Sequence, residues 1–66
     1  MDKVILKDLL PFIKDQFVKI FYLVDPISVS YKPVLLTNDI DSFTEWEKYR
    51  IVYIGVISNV LTIYLD

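Results

Sequence analysis

"IVYIGVISNVLTIYLD", residues 51–66, decides the fold. Fifteen of its 16 positions carry no charge, and most are Ile, Val, Leu or Tyr. Two structures compete for such a run: a membrane-spanning helix and a β-hairpin. A span needs about 20 apolar residues. This run is shorter, is interrupted by Ser58, Asn59 and Thr62, and is bounded by Arg50 and Asp66. Its β-branched and aromatic make-up suits strands. Asn59 tolerates the left-handed backbone that a tight hairpin turn requires. A turn centred on Ser58-Asn59 pairs Val56 with Leu61, Ile54 with Ile63 and Val52 with Leu65 on one wholly apolar face. The other face carries Ile57/Val60, Gly55/Thr62, Tyr53/Tyr64 and Ile51/Asp66. The hairpin accounts for each feature, so no membrane span is expected.

The first half of the chain repeats this plan. Ile5, Leu9, Phe12 and Ile13 recur at helical spacing, with Lys7, Asp8 and Lys14 on the other face. Proline breaks an interior helical bond, so a short helix over about residues 6–14 is expected to kink or restart at Pro11. "QFVKIFYLV", residues 16–24, reads as a strand. "DPIS", residues 25–28, suits a turn with Asp first and Pro second. A four-residue loop there pairs Val24/Val29, Tyr22/Tyr31, Ile20/Pro33 and Val18/Leu35 on one apolar face. A one-residue slip would exchange the faces. Pro33 cannot donate to a ladder, which marks the second strand as an edge or as broken there. After the loop at residues 37–42, two overlapping capping boxes, Ser42 with Glu45 and Thr44 with Glu47, predict a short helix over about 43–49. Its Trp46 is expected in the core.

The expected fold is therefore α+β, in the order α-β-β-α-β-β. Two hairpins form a four-stranded, mostly antiparallel sheet, with two short helices on one face. Residues 1–66 form one small domain.

Composition narrows the function. The chain has no Cys and no His. That removes disulfides, thiolate metal sites, the commonest metal ligand and the commonest general base. One glycine leaves no phosphate-binding loop. Ser42 and Thr44 read as helix caps, and no nucleophile–base pair is present. Asp39, Asp41, Glu45 and Glu47 form the densest carboxylate cluster. They lack the glycine and the spacing of a calcium loop, and they suit a helix start, where acidic side chains meet the positive end of the dipole. No catalytic residue, cofactor or metal is expected, and the chain reads as a non-enzyme. The net charge is −2, with no basic stripe, so nucleic acid is not expected as a partner. No signal peptide is visible, which points to the cytoplasm.

The chain has nine Ile, eight Val, eight Leu and ten aromatic residues but no Ala. A domain this small buries only about 60% of its unfolded surface. So many large side chains exceed what it can hide, and self-association is the expected remedy.

The order of segments carries a resemblance. Leu6 to Leu10 open the chain as "LKDLL", followed by Val18 with Ile20, Ile51 with Ile54, and a closing strand with Leu61, Ile63 and Leu65. This resembles small uncharacterised proteins encoded by phages and mobile elements of low-GC bacteria. These residues are core positions, and the resemblance implies a setting but brings no catalytic residues.

Tyr and Trp favour binding hot spots. The second hairpin presents Ile51, Tyr53, Gly55, Ile57, Val60 and Tyr64 opposite its apolar core face. Exposed apolar patches of this kind mark interaction sites, and Gly55 has room for an aromatic ring across it. These six residues are the expected protein-binding site. The expected function is that of an interaction protein that binds and inhibits a host or defence protein, in the manner of anti-CRISPR counter-defence. The expected partners are a second copy, forming a homodimer through the sheet face or edge, and a host or phage protein. Two alternatives are a self-associating structural or assembly module of a phage and a small membrane-associated protein.

Overall fold

The structure, a computed structural model, describes residues 4–13 and 16–66. It is a small α+β domain with a four-stranded mixed sheet and one short helix. The strands are β1 (Val18–Asp25), β2 (Ser30–Thr37), β3 (Ile51–Ile57) and β4 (Val60–Leu65), in the spatial order β2-β1-β4-β3. Both hairpins form. Among the described residues no helix is long and apolar enough to cross a membrane.

The sheet departs from the antiparallel expectation at its centre, where β1 and β4 pair in parallel. The parallel register sets Val18 beside Leu61, Ile20 beside Ile63, and Tyr22 beside Leu65. Val18, Ile20, Ile63 and Leu65 are fully buried. Central strands are covered by neighbours on both edges, so the two strands with the most regular apolar alternation meet in the middle.

Helical structure is shorter than expected. Helix α1 covers only Leu6–Leu9, and a 3-10 turn, Leu10–Phe12, carries the chain through Pro11. Proline removes the N–H that a continuing α-helix would need, so the tighter turn takes over. The expected end of that helix at Lys14 lies outside the described residues. The expected helix over 43–49 is absent. A 3-10 turn, Ile40–Phe43, and a run of further turns stand in its place. The capping boxes do not form. Asp39 caps instead, accepting from the Asp41 N–H at 3.1 Å, and Thr44 Oγ1 donates to the Asp41 carbonyl. The carbonyls of Glu47 and Tyr49 accept from the N–H groups of Lys7 and Leu6 at 2.8 and 3.0 Å. They satisfy the unpaired donors that open α1, so the segment after Thr44 serves the N-terminal helix and forms none of its own.

The core holds Leu6, Ile13, Val18, Ile20, Phe43, Ile63 and Leu65. Trp46 packs against it as expected, in a cluster with Tyr22 and Tyr49 whose ring centroids lie 5.1–5.5 Å apart.

The first hairpin differs in register. Asp25 pairs with Ser30, Leu23 with Tyr31, Phe21 with Pro33 and Ile20 with Leu35, with irregularities at Val24 and Val34. The loop is four residues long but covers 26–29. Asp25 explains the shift. Its carboxylate accepts from the Ile27 and Ser28 N–H groups and from the Ser28 hydroxyl, so it closes the strand and holds the turn beyond it. Tyr31 therefore lies opposite Leu23, not Tyr22, and on the other face of the sheet. The bulge lets both Val34 and Leu35 pack on the core.

In the second hairpin, the pairs Ile57/Val60, Val56/Leu61, Gly55/Thr62, Ile54/Ile63 and Tyr53/Tyr64 form as expected. Ser58 and Asn59 both have positive φ, 52° and 66°, as a two-residue hairpin turn demands. A bulge at Val52 then changes the register, and Leu65 pairs with Ile51 instead of Val52.

Candidate protein-interaction surface

The sheet face opposite the core is built from alternate residues of all four strands. It carries Phe21 and Leu23 on β1, Tyr31 on β2, Tyr53, Gly55 and Ile57 on β3, and Thr62 and Tyr64 on β4. Tyr64 is its hub. It stacks on Phe21 with centroids 4.8 Å apart and makes edge contacts with Tyr31 at 4.9 Å and Tyr53 at 5.5 Å. The Lys19 ammonium lies 5.2 Å from the Phe21 ring centroid, a cation–π contact.

Gly55 explains how this face closes toward β3. A Cβ built there would stand 2.5 Å from Tyr53 Oη and 2.9 Å from Tyr53 Cζ. The Tyr53 ring therefore lies over the glycine, as the sequence suggested. Thr62, directly across from Gly55, is buried although it faces away from the main core. Its hydroxyl is satisfied by the Val60 carbonyl.

Five of the six residues expected at the binding site, Tyr53, Gly55, Ile57, Val60 and Tyr64, alternate onto this face. Ile51 does not join them. The bulge at Val52 turns Ile51 to the core, where it packs against the buried cluster. Val52, Ile54 and Val56, expected inside, are instead exposed. The cause is topology. β3 is an edge strand, and the short helical segments do not reach across its core side.

The result is a strand bare on both faces. Val52, Tyr53, Ile54, Val56 and Ile57 are each 44–69% exposed. The outer edge of β3 is met at its start, where the Val4 carbonyl accepts from the Ile51 N–H at 2.8 Å and Ile5 bridges Arg50; among the described residues no strand pairs with the rest of that edge. The strand carries no charge and no proline. The other edge strand, β2, carries Lys32, Pro33 and a bulge at Val34, the usual guards of an exposed edge.

Besides Lys19 beside Phe21, charge lies at the margins of this surface. Arg50 and Asp66 form a two-pronged ion pair, with Arg50 Nε donating to Asp66 Oδ1 at 2.9 Å and Nη2 to Oδ2. That pair clips the start of β3 to the end of β4. Among the described residues no group of acidic side chains is arranged to hold a metal. The Asp39 carboxylate is engaged in capping the 3-10 turn, and Asp41 joins that turn through its backbone N–H and carbonyl. Comparison with protein-family models, characterised proteins and solved structures finds no match.

Sequence reasoning missed the exposure of Ile54 and Val56 and the place of Tyr31 beside Tyr64. The first depends on which strand ends at the edge, which no local pattern records. The second depends on the bulges in β1 and β2. Asp25, with Ser28 and Ser30 beyond it, was the available signal, since Asp favours a turn that folds back onto its own carboxylate.

Proposed function

We propose that this protein is a non-enzymatic interaction module that works by covering part of another protein. The observation that supports this reading best is β3, an uncharged edge strand with large apolar side chains exposed on both faces. The adjoining row of Tyr53, Tyr64, Phe21 and Tyr31 supplies rigid aromatic area with polar tips, the composition favoured at binding hot spots. The setting implied by the resemblance is a phage or mobile element, so the proposed target is a host or defence protein that the module blocks. The proposed location is the host cytoplasm.

A pull-down from host lysate tests this reading. Wild type and the variants Tyr53→Asp and Ile57→Asp serve as bait. Both positions are about half exposed, and circular dichroism of each variant checks that the fold is kept. A specific protein retained by wild type and lost by both variants supports the reading. Equal capture by all three argues against this surface.

A further inference from the structure

We draw no further inference here: the strongest candidate, the exposed apolar surface of edge strand β3 around Ile54 and Val56, carries nothing beyond the reading above, because nothing in the structure shows what covers it.

Discussion

The ring of Tyr53 lies across Gly55, closer than any side chain at position 55 would permit. This links a strand glycine, ordinarily a weak point, to an aromatic cluster. The glycine loses conformational entropy on folding, about 0.5–1 kcal/mol relative to alanine. The ring covers the gap and gains an edge contact with Tyr64, of about 0.5–1.5 kcal/mol. Gly55→Ala would displace the far end of the Tyr53 side chain while leaving the backbone unstrained. The two effects nearly cancel, so stability is expected to change by less than about 1 kcal/mol. The near-ultraviolet circular dichroism, which reports tyrosine packing, is expected to change clearly. A substantial loss of stability would show that Gly55 serves the backbone and not the ring.

Phe43 offers a stability test on the core face. It is the largest fully buried side chain, held under the sheet by a single 3-10 turn. Phe43→Ala is expected to cost about 3–5 kcal/mol. A chain of this length has roughly 3–10 kcal/mol of stability in total, so the variant is expected to be largely unfolded at 37 °C. Chemical denaturation read by Trp46 fluorescence measures the loss.

The tip of the first hairpin carries strain that can be relieved. Val29 has a φ of 54°, a left-handed conformation that costs a residue with a Cβ about 1–2 kcal/mol, and a branched Cβ is especially ill suited to it. The side chain is exposed and outside the core, so nothing is lost by changing it. Val29→Asn is expected to raise stability by about 1 kcal/mol. Thermal unfolding of the two proteins, compared at one concentration, checks it.

Asp25 gives the same hairpin a pH dependence. The Ser28 hydroxyl, then the Ser28 N–H, then the Ile27 N–H hold its carboxyl below the ordinary aspartate value. The folded value is the depressed one, so the stabilisation is present in full above the unfolded pKa and is lost as pH falls through the folded value. Asp25 is fully exposed, and the effect on overall stability is expected to be small. The carboxyl resonance of Asp25 is expected to titrate below that of an unstructured aspartate, and Ser28→Ala is expected to bring it back toward the usual value. An unchanged midpoint in the variant would deny the bond its role.

How far the sequence led is best seen in the two hairpins. The second was legible almost pair by pair, because a turn centred on Ser58-Asn59 and the apolar alternation on either side point to the same register. The first was legible as a hairpin but not in register, because Asp25 binds its own turn and Pro33 forces an irregularity that alternation does not encode. The helix after residue 43 failed for a non-local reason: its carbonyls serve the N–H groups of Leu6 and Lys7. The site residues Tyr53, Gly55, Ile57, Val60 and Tyr64 followed from alternation alone. Ile51 went to the core because of one bulge. Ile54 and Val56 became surface because their strand lies at the edge, and the parallel pairing of β1 with β4 that puts it there joins residues more than forty positions apart.

Amide hydrogen exchange along β3, read with and without the protein retained in the pull-down, is the most direct test of that surface. Tyr53, Gly55 and Ile57 turn their amides to β4 and are expected to be protected in both. Ile54 and Val56 turn theirs outward. If β3 is where the partner docks, those two amides gain protection in the complex. Unchanged exchange at Ile54 and Val56 in the complex, beside a protected Gly55, would mean that the protein binds through another surface.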